Sequence, residues 1–508
     1  MQGRKFLFLL ILLTSLIFLS ACVRSTGSDI EPWQPGKPIL TSEPEGAEIS
    51  AYITNPRPAS QPILTPTPDA PHSIPGLRTK EEEYIVQAGD TLGQIADRFG
   101  LTVMQIADAN QIANINILSV GQVLIIPVVQ PTLVGPSFKI IPDSELVAGP
   151  ATVSFDTADF AYSKNGYLVR YQEEVEGQML AGFQIVQRIA TDYSVNPRLL
   201  LAMIEYQSGW VTNANPRSDT LKYPLGLRDS FREGLYKQLA WAANNLNRGY
   251  YLWRVNAFAS WSLTDGTVVP VNPTINAGTA AIQYFFSQVY DHKIWEKSIS
   301  EEGFFAVYNN LFGYPFDYAV EPVIPSGLAQ PPFQLPFENG VTWAFTGGPH
   351  GGWGDGSAWA ALDFAPFVDA VGCITSDFWV VAMADGLIIR AENGAVVQDL
   401  DGDHHEQTGW TILYMHIETR DRVQAGVYLQ AGERIGHPSC EGGISNGTHV
   451  HIARRYNGEW IPADQDLPFV LDGWISSGTG KEYDGFLTKG STTLEAWDRN
   501  IPANAIER

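Results

Sequence analysis

Eleven prolines fall in the 44 residues from Pro32 to Pro75, interleaved with Ser, Thr and Gln and without apolar periodicity. Proline lacks an amide donor and fixes its φ, so neither a helix nor an interior strand runs through such a stretch. Residues 23–82 are therefore read as an extended, semi-rigid linker that separates a short N-terminal segment from the part of the chain that folds. At about 3 Å per residue it reaches on the order of 100 Å. The chain has 508 residues, which predicts about three or four domains. Its 32 Lys and Arg against 55 Asp and Glu give a net charge of -23. That balance lacks the basic surface needed to neutralise phosphates, and it excludes nucleic acid as an expected partner. With 14 Trp, 20 Tyr and 24 Phe, most of the chain has the aromatic content of folded protein.

Ahead of the linker, Arg4 and Lys5 precede a largely apolar run over residues 6–19, followed by Leu19-Ser20-Ala21-Cys22. Fourteen residues are too few to span a bilayer core as a helix, which needs about 20. The positive start, short apolar core and small residues read as a signal peptide over residues 1–22. The Leu-Ser-Ala-Cys ending resembles a bacterial lipoprotein signal, which implies cleavage before Cys22 and lipidation of Cys22 as the anchor.

Past the linker, Tyr84-Ile85-Val86 reads as a strand, Leu92, Ile95, Ala96 and Phe99 as the apolar face of a helix, residues 103–109 as a second helix and residues 123–127 as a closing strand. The order is βααβ. Asp90 or Thr91 supplies the first cap, and Gly100 ends that helix. The series Tyr-x-Val-x-x-Gly-Asp-Thr-Leu, Ile-Ala-x-x-Phe, Ile-x-x-Ala-Asn and Gly-Gln-x-Leu-x-Ile-Pro resembles the LysM module, placed at residues 83–128. The resemblance implies binding of N-acetylglucosamine-containing glycans such as peptidoglycan.

Residues 183–193 and 198–208 read as two helices, with Asn196 capping and Pro197 at the first helical position of the second. The run Tyr-Ser-Val-Asn-Pro-Arg-Leu-Leu-Leu-Ala-Met-Ile-Glu-Tyr-Gln-Ser-Gly-Trp resembles the opening of lysozyme-like lytic transglycosylases, whose acid is a Glu directly before Ser-Gly. Here that position is Gln207, which has no proton to give a glycosidic oxygen. Glu205 lies about 200° away around the helix. The middle domain, residues 133–330, is thus expected to be mainly α, lysozyme-like and non-catalytic.

The remaining residues, 332–508, hold the chemistry. Seven of the nine histidines lie between His350 and His451, in 102 residues. Around them strands are expected at 359–365, 379–384, 386–391, 409–417 and 447–453. Alternation puts His449 and His451 of Thr-His-Val-His-Ile on one face, a ready metal or acid/base pair. Gly-Gly-Pro-His350, Ala-Leu-Asp363-Phe-Ala-Pro, Leu-Tyr414-Met-His416-Ile and Gly447-Thr-His449-Val-His451 are similar, in order, to the lysostaphin-like (LytM-type) zinc endopeptidases. The resemblance implies His350, Asp363 and His451 as zinc ligands and His416 and His449 as catalytic residues. That family usually has three residues between its first His and Asp, whereas twelve separate His350 from Asp363 here. A Gly-rich insertion can loop out without moving its ends, and Asp355 inside it is the alternative ligand. Asp399-Leu-Asp401-Gly402-Asp403 has the carboxylate spacing of a calcium loop without the downstream Glu. Cys373 and Cys440, the thiols left after Cys22, form either a disulfide or two separate buried thiols.

The expected fold class is therefore multidomain: a βααβ LysM module, a mainly α lysozyme-like middle domain and a mainly antiparallel β peptidase domain. The expected function is a zinc metalloendopeptidase, exported and lipid-anchored to the cell membrane, that faces the wall and cuts peptidoglycan peptides. The alternative is a non-catalytic peptidoglycan-binding or hydrolase-regulating lipoprotein.

Overall fold

The computed structural model describes residues 66, 69, 71, 72, 80–87, 89–128 and 135–508. The leader, Cys22 and most of the linker lie outside the described residues. Near the end of the linker, the His72 amide donates to Pro273 O at 2.8 Å, Asp69 pairs with Lys139 at 2.8 Å and the His72 ring stacks on Trp253. This stretch is docked at those points, a departure from a spacer with nothing to pack against. Among the described residues no helix is long and apolar enough to cross a membrane.

The βααβ unit consists of β1 (Glu82–Ile85), α1 (Leu92–Phe99), α2 (Val103–Ala109) and β2 (Val123–Ile126), with β1 and β2 antiparallel. Its core is its own: Leu92, Ile95, Ala96, Ile106, Leu124 and Ile126 are buried together. Thr91 is the cap of α1, because its hydroxyl accepts from Gln94 N while its amide donates to Gln94 Oε1. Asp90 instead accepts from Tyr84 Oη and Gln87 N. Gly100, at φ +62°, closes the helix in the left-handed region.

The helical region follows with α3 (Thr157–Lys164), the hairpin β3 (Gln172–Val175) and β4 (Gln178–Ala181), α4 (Gly182–Tyr193) and α5 (Pro197–Ser208). Next come α6 (Leu235–Arg254), the hairpin β5 (Ser260–Ser262) and β6 (Val268–Pro270), α7 (Ala277–Ser287), α8 (His292–Ser298) and α9 (Ala306–Phe312). Asn196 caps α5 by accepting from Arg198 N, with Pro197 at the first position. The apolar run 199–204 of α5 is wholly buried, and Arg198 is neutralised below it by Glu145 at 2.7 Å.

The C-terminal region is built on an antiparallel sheet of nine strands. In chain order they are β7 (Thr342–His350), β8 (Ala361–Pro366), β10 (Gly386–Glu392), β11 (Ala395–Asp399), β12 (Trp410–Met415), β13 (Tyr428–Leu429), β15 (Val450–Tyr456), β16 (Glu459–Trp460) and β21 (Ala505–Glu507). The spatial order is β13-β10-β11-β12-β15-β8-β7-β21, with β16 paired to β15. Outside it, β9 (Val380–Val381) pairs with β14 (Arg434–Gly436). A second sheet runs β17 (Val470–Leu471), β18 (Trp474–Gly478), β19 (Gly485–Lys489) and β20 (Thr492–Glu495).

Side chains alternate across the central sheet, and each face has its own neighbour. Leu362, Phe364, Ile412, Tyr414, Val450 and Ile452 pack into the core beneath the sheet. The residues between them, Ala361, Ala395, Val397, Leu413 and Ala453, belong to one continuous core with the helices. Small alanines let α4 and α6 approach this face. Polar contacts seal the junction: Arg390 pairs with Asp192 at 2.9 Å, Trp460 N donates to Tyr251 Oη at 3.0 Å, and Arg254 pairs with Glu459. Helical region and sheet are thus cored together.

Trp460 is 1% exposed at the centre of this junction. Trp460→Ala should cost about 3–5 kcal/mol, as large-to-small changes in buried cores do. The check is a lowered urea midpoint for the whole chain; an unchanged midpoint would contradict the shared core.

Candidate metal centre and its surroundings

One row of the sheet positions the site. Met415 pairs with His451, His451 with Asp363, and Asp363 with Gly347, across β12, β15, β8 and β7. Directly paired residues share a face, so His451 and Asp363 project from the face that carries Ala361 and Ala453. Gly347 makes this possible, since a Cβ there would stand 2.6 Å from Asp363 Oδ2. Beyond Gly347 the register shifts and His350 pairs with Ala361. The irregularity turns His350 toward the same point.

Three donor atoms converge. His350 Nε2 lies 3.0 Å from His451 Nδ1, and Asp363 Oδ1 lies 3.2 Å from the first and 3.3 Å from the second. The proton positions follow from the remaining bonds. His350 Nδ1 donates to Gly348 O at 2.8 Å and His451 Nε2 donates to Gly352 O at 3.1 Å. Because a carbonyl only accepts, each neutral ring presents a bare lone pair to the other and to the carboxylate. Asp363 Oδ1 is buried and receives no directed hydrogen bond despite these short approaches. With both rings neutral, three electron-rich atoms meet at this point, an arrangement suited to a cation. Two imidazole nitrogens and one carboxylate are a zinc donor set, and tetrahedral bonds of about 2.0–2.1 Å place donors roughly 3.3 Å apart. The residues present fit the metal.

His416 and His449 flank this triad. Their rings are 4.4 Å apart, and His449 Nε2 lies 3.8 Å from Asp363 Oδ1. His416 Nδ1 donates to Glu441 O at 2.9 Å and His449 Nδ1 to Gly447 O at 2.8 Å, which leaves the Nε2 of each as an acceptor. His416 sits at φ +63°, a conformation a side-chain-bearing residue holds only where its surroundings enforce it. Cys373 and Cys440 are joined as a disulfide, directly beside the Glu441 carbonyl.

The electrostatics divide the histidines. Burial disfavours the cation of His350, but the neighbouring Asp363 carboxylate outweighs it and raises its basicity. Burial opposes ionisation of Asp363, yet His350 and then His449 hold it well below the usual carboxylate range. For His416, burial joined by repulsion from His449 and His451 pushes the ring down to about 3. His451 is lowered chiefly by burial. His416 is therefore held in its neutral form, with Nε2 unprotonated.

The structure thus brings together His350, Asp363, His451, His416 and His449, from segments more than a hundred residues apart in sequence. Asp355, the alternative ligand, is committed elsewhere: Arg248 pairs with it at 2.7 Å and Asn244 donates to it at 2.5 Å. Burial opposes its ionisation, but these partners keep its carboxyl below the usual range. The insertion does not loop out as expected, because it packs against α6. Tyr483 is a site residue that no motif signalled. Its ring stacks on His350 at 4.2 Å from a turn residue at φ +65°. Asp399, Asp401 and Asp403 also converge, with carboxylate atoms within 4.8 Å of one another. Burial and then Asp401 raise Asp399 to about 8, while its oxygens accept from Asp401 N and His404 N. In the helical region Gln207 Oε1 accepts from Tyr290 Oη at 2.5 Å, and the Glu205 carboxylate is held by Val211 N and Thr212 N.

Comparison with known proteins agrees with this division. Residues 84–127 match the family model described as LysM domain, residues 139–323 that of the LasA N-terminal domain, and residues 374–462 that of peptidase family M23. The last match takes in His416, His449 and His451 and begins after His350 and Asp363, which rest on the geometry above. The chain is 25% identical over 288 residues to Protease LasA of Pseudomonas aeruginosa (strain UCBPP-PA14), covering 53% of this chain and 65% of that protein. It thus spans just under two thirds of that relative's length. A stretch of 45 residues is 49% identical to the N-acetylmuramoyl-L-alanine amidase XlyA of Bacillus subtilis (strain 168), covering 9% of this chain and 15% of that one. Among solved structures, one described as a novel M23 metalloprotease, pseudoalterin, from the deep sea is 23% identical, with 35% of this chain and 100% of that chain covered and a TM-score of 0.28. The chain joins, in order, a LysM region, a region similar to the LasA N-terminal domain and a region similar to M23 peptidases.

His350→Ala, Asp363→Ala and His451→Ala should each take bound zinc from about one per chain to almost none, whereas His416→Ala and His449→Ala should keep it. Elemental analysis of the purified variants measures this, and a His350→Ala protein that retains its zinc would remove His350 from the ligand set.

Proposed function

We propose that this chain is a lipid-anchored peptidoglycan hydrolase that cleaves peptide bonds of the cell wall by zinc-activated water, with the LysM region holding glycan. The observation that carries the reading is the convergence of His350 Nε2, His451 Nδ1 and Asp363 Oδ1, flanked by the free Nε2 atoms of His416 and His449. The match to M23 peptidases and the similarity to Protease LasA support it.

His350, Asp363 and His451 would hold the metal. Bound there, zinc supplies a water whose pKa falls toward 7 and positive charge to stabilise a developing oxyanion. The chain's own residues do the rest. His416 takes a proton at Nε2, the ring atom left without a hydrogen, while Glu441 O holds its Nδ1–H and its orientation. His449, whose ring lies 4.4 Å from that of His416, orients the attacking water through Nε2 or, having taken its proton, donates it to the oxygen that gains charge. The Tyr483 ring, stacked on His350, walls the site beside that residue.

The upstream regions act through proximity. A LysM region bound to glycan raises the effective concentration of wall peptides at the peptidase region. We read the helical region as a lysozyme-like fold that braces glycan without cutting it, a reading supported by Gln207 in place of an acid. The leader ending at Cys22 supplies the anchor, and because a single acyl chain holds only marginally, multiple acylation is expected.

Incubation with purified peptidoglycan should release free amino groups without new reducing ends, stop with a chelator and recover with zinc. His416→Ala and His449→Ala should lower the rate by about 10²-fold or more. A protein that folds, yet holds no metal and cuts no wall peptide, would favour the non-catalytic binding or regulatory alternative. Separately, Cys22→Ser should leave the protein unacylated and move it out of the membrane fraction; unchanged fractionation would contradict the anchor.

A further inference from the structure

The segment 351–360 joins the two ligand-bearing strands β7 and β8, and α6 of the helical region grips it. Asn244 Nδ2 donates to Asp355 Oδ1 at 2.5 Å, and Asn244 Oδ1 accepts from Gly356 N at 2.9 Å. One turn along α6, Arg248 pairs with Asp355 Oδ2 at 2.7 Å and donates to Asp355 O at 3.3 Å. The backbones meet as well: a Cβ on Gly356 would stand 1.9 Å from Asn244 O. Only glycine allows that approach.

The same segment supplies the proton acceptor of a metal ligand. Gly352 O accepts the Nε2 proton of His451 at 3.1 Å. Gly352 N is bonded in turn to Ala358 O at 3.1 Å, and Trp353 N to Ser357 Oγ at 3.0 Å. Asp355 and Gly356, the residues held by α6, lie inside the loop that these bonds close. The clamp on the helical region and the carbonyl that orients His451 are thus parts of one short, cross-linked loop.

We propose that Asn244 and Arg248 are positioning residues of the metal centre. By holding segment 351–360 closed they keep Gly352 O against His451 and so present its Nδ1 lone pair to the metal, which makes the helical region an integral part of the zinc site. The inference rests on the zinc reading above. A glycine-rich segment gains much conformational freedom when released, so loss of the clamp disperses the Gly352 carbonyl. Removal of groups that orient metal ligands typically costs 10–100-fold in affinity. These residues act one link further out, and a weakening of about tenfold is expected.

The test uses the full folded chain loaded with zinc or cobalt. Asn244→Ala with Arg248→Met should raise the zinc dissociation constant about tenfold, read by competition with a chromophoric chelator, and alter the visible band of the cobalt form. Arg248→Lys, which keeps the charge, should recover part of the loss. If the double variant does not fold, Asp355→Asn removes the same pair at a residue whose side chain is 48% exposed. Arg254→Met breaks the Arg254–Glu459 pair on the same helix without touching the segment, and should leave zinc binding unchanged. Zinc bound by the clamp variants as tightly as by the wild type, with an identical cobalt band, overturns the positioning role while the zinc site stands. Equal weakening in Arg254→Met also overturns it, since general loosening of the junction would then be the cause. A wild type that binds no zinc is a different failure, that of the proposed function itself.

Discussion

The central sheet is buried on both faces, and the alternation of its side chains organises the molecule. One face, with Leu362, Phe364, Ile412 and Tyr414, rests on a core beneath the sheet. The other carries Ala361, Ala395 and Ala453, whose small side chains let the helices come close. The candidate metal donors Asp363 and His451 extend that second face by one row. A strand shifted by a single residue would bury the donors in the wrong core and put large residues against the helices. Register, interdomain packing and the site are therefore one constraint.

Along that row the site accumulates electron-rich atoms in a buried place, which is costly unless something positive is held there. Each of the four histidines has its proton directed away from the centre by a backbone carbonyl: Gly348, Gly352, Glu441 and Gly447. Carbonyls do not titrate, so this fixes the tautomers without adding charge. Two of these carbonyls lie in segments that are themselves restrained, Gly352 by the closed insertion and Glu441 beside the Cys373–Cys440 disulfide. The loops around the centre thus orient ligands as well as shape access to it.

The departures from expectation have a common cause. The insertion between His350 and Asp363 carries the composition of a free loop, yet Gly352, Gly354 and Gly356 stand where Trp460 and Asn244 press against their backbones. No strand is among those expected over residues 342–350, yet β7 pairs along most of its length, since Gly347 faces Asp363 and Gly348 faces the backbone of Asp484. In both places glycine marks a close approach by a distant part of the chain, which local composition represents as flexibility.

The sequence by itself determined what depends on neighbours a few residues apart. The βααβ unit, the cap at Asn196, the left-handed stop at Gly100 and the shared face of His449 and His451 all follow from periods of 3.6 and 2 and from side chains that bond their own backbone, which also narrowed the first cap to Asp90 or Thr91. The order of His350, Asp363, His416, His449 and His451 was likewise legible through resemblance. Only the tertiary structure decided that Asp355 belongs to Arg248 rather than to the metal, that Tyr483 stacks on His350, that Cys373 reaches Cys440, and that helices and sheet share one core. Each of those pairs joins residues far apart in sequence, and no periodic pattern records which of many compatible partners a buried group will meet. The sheet register and the helix packing make that choice together, once the whole chain has folded.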